Sequence, residues 1–137
     1  MSRIGNRIYP GRCSVGVWRE LEAQDAQRDL QQQVVAFDRL TVVRCVYREG
    51  TDFPEHFHPQ EQITIVEEGA LEIKIGGETI RIGEGQTIAI EPEVRHATRV
   101  ANGSSRAIAL NIFLKNPLAN KYTSNANADR NSQGPTG

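Results

Sequence analysis

The residues of this chain whose chemistry and spacing converge are three histidines and a glutamine. His56, His58 and His96 are the only histidines in 137 residues, and Gln62 follows the first two within a short turn's reach. On an extended strand, residues two apart project to the same side, so His56-x-His58 presents two imidazoles together, a spacing that suits a metal ion. Pro59 cannot donate to a strand ladder, so the chain is expected to turn there and to resume at Glu61, returning Gln62 toward the two rings. Three imidazole nitrogens and one amide oxygen could then meet at one point. Such a donor set could accept one divalent transition ion, Fe, Zn, Mn, Ni or Cu, with little discrimination among them.

Positioning these side chains requires short, closely spaced strands. From Val34 on, apolar alternation is broken every few residues by turn-forming pairs: Glu68-Gly69, Gly76-Gly77, Gly83-Glu84-Gly85, Glu91-Pro92-Glu93 and Asn102-Gly103. The pattern predicts strands over Val34–Phe37, Leu40–Arg48, Glu55–His58, Glu61–Val66, Ala70–Ile75, Thr79–Ile82, Gln86–Ile90, Arg95–Ala101 and Arg106–Leu114. With no helical period between them, they imply an all-β antiparallel sandwich or barrel spanning residues 34–116. Residues 1–33 read as an arm with a short strand over Val15–Trp18, followed by a polar stretch, Glu20–Gln33, that fits a surface helix or a loop. Residues 117–137, rich in Asn, Ser, Ala and Gly, read as a disordered tail.

Composition narrows the partners. A net charge of −1 and the lack of any Lys/Arg cluster predict no nucleic-acid and no membrane partner. No signal segment or long apolar run is visible, so a soluble cytoplasmic protein is expected, with Cys13 and Cys45 reduced. Strand parity directs Thr64 and Val66 to the side of Gln62, and Thr98 to the side of His96. Ile63 and Ile65 then face outward and need cover, for which a homodimer partner or the N-terminal arm is expected. Tyr47, Asn111 and Phe113 are the other inward candidates for contact with a small-molecule substrate. Arg44, Arg95 and Arg99 are candidate carboxylate clamps.

The stretch Gly50-x5-His56-x-His58-x3-Gln62-x6-Gly69 resembles the first motif of the cupin superfamily, with Gln62 where a glutamate usually stands. A second motif, Gly-x5-Pro-x-Gly-x2-His, is matched by Gly85 and His96, while Glu91 and Glu93 occupy its proline and glycine positions. The resemblance covers roughly Leu40 to Leu114. It implies a cupin β-barrel, a double-stranded β-helix or jelly roll, with a metal inside held by His56, His58, Gln62 and His96, and it also suggests a homodimer. The run His-x-His-Pro-x-Glu-Gln is similar to small cupins acting on unsaturated uronic acids, whose last strand tends to read Asp-x-Phe-x-Pro. Here it reads Asn111-Ile112-Phe113-Leu114-Lys115, and asparagine cannot exchange a proton at neutral pH.

Three functional readings follow. The first is an enzyme whose metal acts as a Lewis acid on a carbonyl or enol oxygen of a small polar molecule, in isomerisation, ring opening or elimination. The second is a non-haem iron dioxygenase. The third is a non-catalytic small-molecule-binding module. No catalytic acid or base is identifiable from sequence.

Overall fold

The computed structural model describes residues 7–9, 11, 13–21 and 30–115. Among these there are strands and turns and no helix, hence no helix long and apolar enough to cross a membrane. In chain order the strands are β1 (Arg7–Tyr9), β2 (Cys13–Val15), β3 (Arg19–Leu21), β4 (Leu30–Ala36), β5 (Leu40–Arg48) and β6 (Asp52–His56). They continue as β7 (Glu61–Glu68), β8 (Ala70–Ile75), β9 (Glu78–Gly83), β10 (Thr87–Ile90), β11 (His96–Val100) and β12 (Arg106–Leu114). All pairings are antiparallel. A six-stranded sheet runs β10-β7-β12-β5-β4-β3, a four-stranded sheet runs β6-β11-β8-β9, and β1 and β2 pair separately.

Alternation along each strand explains the layering. On β7, Gln62, Thr64 and Val66 are buried while Glu61, Ile63 and Glu67 are exposed. The inward residues of the six-stranded sheet, among them Val43, Tyr47, Val66, Ala109 and Phe113, close on Phe53, Leu71, Ile73, Ile82 and Val100 of the other sheet in one core cluster. Each large side chain buried there contributes roughly 1.5–3 kcal/mol. The outer face of the six-stranded sheet carries an apolar row across five strands: Val35, Val42, Ile112, Ile63 and Ala89 are successive cross-strand partners.

Strands expected over Leu40–Arg48, Ala70–Ile75 and Arg106–Leu114 occur with those bounds. Others differ. The polar stretch Glu20–Gln33 is strand at both ends, not helix: Arg19–Leu21 pairs with β4, and β4 begins at Leu30. Leu30, Gln32 and Val34 point inward in strict alternation, and the run of glutamines conceals that period because Gln32 is a buried polar residue. Residues 22–29 lie outside the described residues, as does the expected tail. The strand expected over Val15–Trp18 is instead β2, which ends at Val15. The strand expected over Glu55–His58 runs from Asp52 to His56, leaving His58 in the following connection.

Between β7 and β8 the chain passes from one sheet to the other at Gly69. Its φ of 73° lies in the left-handed region, and a Cβ at this position would run into the carbonyl oxygen of Arg106. Both effects oppose any side chain there. Gly69→Ala is expected to destabilise the fold by at least about 1–3 kcal/mol from backbone strain alone, with the backbone clash adding to it. Urea unfolding followed by circular dichroism measures the change, and an unshifted midpoint would refute the account.

Candidate metal centre

The centre lies where the chain crosses between the sheets. His56 ends β6 and His96 begins β11, and the two are direct cross-strand partners in the four-stranded sheet. Gln62 projects from β7 in the six-stranded sheet, opposite Phe113 of β12. His58 belongs to the connection between β6 and β7, which is tied to the turn before β11 by a hydrogen bond from Glu93 N to His58 O, 2.8 Å. All four side chains are buried. The ligating atoms available on the three histidines lie within 4.8 Å of one another, with ring centroids 4.3 Å apart for His56–His96, 5.3 Å for His58–His96 and 5.5 Å for His56–His58.

Backbone carbonyls fix the tautomers. His56 Nδ1 lies 2.9 Å from Pro54 O, His58 Nδ1 3.0 Å from Gln60 O and His96 Nδ1 2.8 Å from Val94 O. A carbonyl oxygen only accepts, so each Nδ1 carries the proton and each Nε2 of the neutral ring presents a lone pair. His56 Nε2 and His96 Nε2 are buried without any partner. His58 Nε2 faces Gln62 Oε1 at 2.9 Å. Two acceptors at that distance repel unless a cation stands against both. Three imidazole lone pairs and an amide oxygen without a donor among them fit a divalent transition ion.

The Gln62 amide is locked from behind. Its Nε2 donates to Thr64 Oγ1 at 2.8 Å and to Asn111 Oδ1 at 3.2 Å, and Thr64 Oγ1 donates to Asn111 Oδ1 at 2.6 Å. Asn111 Nδ2 in turn donates to Cys45 Sγ at 3.3 Å, which also accepts from Gln32 Nε2 at 3.4 Å. Tyr47 is buried, and the Cys45 and Asn111 side chains both act on its phenol. Phe113 packs edge-on against the His58 ring, centroids 5.4 Å apart, and Phe53 does the same to His56 at 4.8 Å. Thr98 is buried on β11, two residues beyond His96.

The three arginines considered from sequence are engaged elsewhere. Arg44 faces Glu67 at 3.9 Å, Arg99 pairs with Glu72 at 2.7 Å, and Arg95 lies over the Phe57 ring at 4.4 Å. Two participants escaped sequence reasoning. Gln32 was hidden in a polar run. Glu93 stands at the glycine position of the second motif and adopts the left-handed conformation that favours glycine, φ 68°. The departure from the motif was the signal for it.

Burial keeps the chamber uncharged. It is the largest influence on all three imidazoles, lowering His58 and His96 and bringing His56 down to about 4, where the neighbouring histidines depress it further. The Gln62 amide oxygen, the Gln60 carbonyl and the charge of Glu93 each favour a protonated His58 and partly offset this. Desolvation also raises the Cys45 thiol and pushes the Tyr47 phenol well above its ordinary value. At pH 7 the buried groups are therefore all neutral.

Comparison with known proteins agrees with this geometry. The cupin domain family model matches residues 43–113, just over half of the chain, and the chain belongs to that family. Its fold is thus an antiparallel cupin β-barrel. Over 79 residues the chain is 34% identical to polyketide synthase CurC of Streptomyces cyaneus, a match covering 56% of this chain and 49% of CurC. The chain spans about half the length of that curated relative. Among solved structures, an RmlC-like cupin from Shewanella frigidimarina is similar with TM-score 0.62 and 16% identity, covering 82% of this chain and 96% of the other. Polyketide cyclase RemF from Streptomyces resistomycificus is similar with TM-score 0.62 and 18% identity, covering 72% and 75%.

The depressed imidazoles make the metal-free fold sensitive to acid. Their folded pKa values lie below the ordinary 6.5, so between about pH 6.5 and 4 the unfolded chain binds protons that the folded chain excludes. Stability is fully present above 6.5 and falls as pH drops through that window. A thermal melt series in the presence of a chelator is expected to show this decline, and a flat profile from pH 7 to 4 would contradict the neutral-imidazole assignment.

Proposed function

We propose that this protein holds one divalent transition metal on His56, His58, Gln62 and His96 and acts on an enolisable carbonyl compound. The observation that supports it above others is the 2.9 Å approach of His58 Nε2 to Gln62 Oε1, two acceptors facing each other in a buried chamber. Bound there, the ion supplies Lewis acidity toward a carbonyl or enol oxygen. The buried groups around that position are all neutral, so no buried carboxylate would offset a divalent charge there. The names of CurC and RemF, a polyketide synthase and a polyketide cyclase, support a substrate of polyketide type, whose repeated carbonyls enolise readily.

Enolisation also requires a proton to move. No carboxylate is among the buried polar residues, and Glu93 is our candidate carrier: it sits on the turn leading into His96, its main chain bonds to His58, and its charge acts on that ring. It is an exposed residue held at positive φ, and an L side chain there costs about 1–2 kcal/mol. A non-catalytic binding module is the second reading, favoured by the lack of a buried acid or base.

Metal analysis of protein purified without an affinity tag, beside His58→Ala, is expected to give near one ion per chain in the parent and little in the variant. With a 1,3-diketone probe, the loaded parent is expected to accelerate exchange of α-hydrogens for deuterium, read by NMR. Glu93→Gly separates the two roles of that residue: stability is expected to hold or rise by up to about 1 kcal/mol, because glycine tolerates the turn, while exchange falls about 100-fold or more. Oxygen uptake by the iron-loaded protein in place of exchange would point to dioxygenase chemistry. Absence of metal after reconstitution would sink the enzyme proposal.

A further inference from the structure

Resting on that reading, we propose that Asn111 is a positioning residue which sets the direction of the Gln62 amide, so that oxygen and not nitrogen faces the metal position. A primary amide is nearly symmetric in shape, and turning it over costs little sterically. Turned over, Gln62 would offer N–H groups to the ion and be useless as a ligand. Steric packing alone therefore does not select the ligating orientation, and the hydrogen-bond pattern behind it must.

The pattern present in the structure points the oxygen toward the histidines. Asn111 Oδ1 accepts from both Gln62 Nε2, at 3.2 Å, and Thr64 Oγ1, at 2.6 Å. Thr64 has given its one proton to Asn111, so its oxygen is left to accept from Gln62 Nε2, at 2.8 Å. Both protons of the Gln62 amide nitrogen are thus claimed on the side away from the histidines. Asn111 is itself engaged at its other end, where its Nδ2 donates to Cys45 Sγ at 3.3 Å. A reversed Asn111 would set N–H against N–H at Gln62, and would exchange its bond to Cys45 Sγ for one in which the thiol, a weak donor, must give its proton. Asn111 is 1% exposed, and each end of its amide is already engaged. We therefore assign it to orienting Gln62 and not to touching substrate.

The test is a double-mutant comparison read as Zn(II) affinity, by competition with a chromophoric chelator. Asn111→Leu keeps the size and removes both ends of the amide; it is expected to weaken Zn(II) binding about 10- to 100-fold, the usual effect of losing a partner that orients a ligand. Asn111→Asp keeps an oxygen facing Gln62 and is expected to retain most of the affinity. In a Gln62→Glu background the residue at 62 presents oxygen at either end and needs no direction. There Asn111→Leu is expected to cost little. A merely structural asparagine would weaken binding by the same factor in both backgrounds, and that result, or undiminished binding in Asn111→Leu alone, would overturn the proposal. Thr64→Val, isosteric and less disruptive, carries the same test if Asn111→Leu does not fold: it is expected to weaken Zn(II) binding by a smaller factor, again only in the Gln62 background. The metal reading fails separately, through a parent protein that binds no Zn(II), and the assignment of Asn111 would fall with it.

Discussion

Four buried acceptor atoms directed at one point, with no donor among them, form the constraint on which the rest of this protein turns. It originates locally. Each histidine has its Nδ1 anchored to a carbonyl two residues away in sequence, Pro54 and Val94 before His56 and His96, and Gln60 after His58. Those bonds leave every Nε2 as a lone pair, and burial prevents the rings from escaping the conflict by protonation. An unpartnered buried acceptor costs roughly 1–3 kcal/mol, so without a cation the interior is under strain that a more apolar barrel would avoid. That cost is tolerated where a site is kept ready for a ligand.

The two sheets supply the separate halves of this arrangement. His56 and His96 meet because β6 and β11 pair in register at those residues, and Gln62 meets them because the connection carrying His58 leads straight into the opposite sheet. Conformationally demanding residues mark the passages. Gly69 takes the left-handed crossing between β7 and β8 where no side chain fits, and Glu93 takes a similar backbone conformation on the turn before His96 without being glycine. A strained non-glycine residue beside a ligand-bearing strand is the kind of outlier that functional sites retain.

Two departures read from the sequence, Gln62 where the cupin motif usually has a glutamate and Asn111 where the uronate-acting small cupins tend to have an aspartate, meet in one hydrogen-bonded pair. They touch, 3.2 Å apart, across 49 residues of sequence. Two carboxylates at that distance in an uncharged interior would have to share a proton, whereas here the Gln62 amide nitrogen donates to the Asn111 amide oxygen. Exchanging both acids removes negative charge from around the histidines and replaces it with a directional hydrogen-bond array reaching back to Cys45 and Gln32.

Alternation and turn residues were enough to define β5, β8 and β12 from sequence, because turn-forming residues such as Gly50, Gly69, Gly76 and Gly103 lie at or near their ends and each has a largely alternating buried face. The grouping of His56, His58, Gln62 and His96 was legible for a related reason: three of the four lie within seven residues, and the only other histidine of the chain opens a later strand. Local patterning could not disclose β4, whose inward Gln32 breaks the apolar code that marks a buried face, nor the end of β6 at His56. It also could not show that Asn111, Thr64 and Cys45 stand behind Gln62, since hydrogen bonds between distant strands are set by register, and register is decided only when two sheets close over a common core. The sequence by itself determined the ligand types and their tautomer-fixing neighbours, while tertiary structure decided which way the amides point and how burial holds the imidazoles neutral.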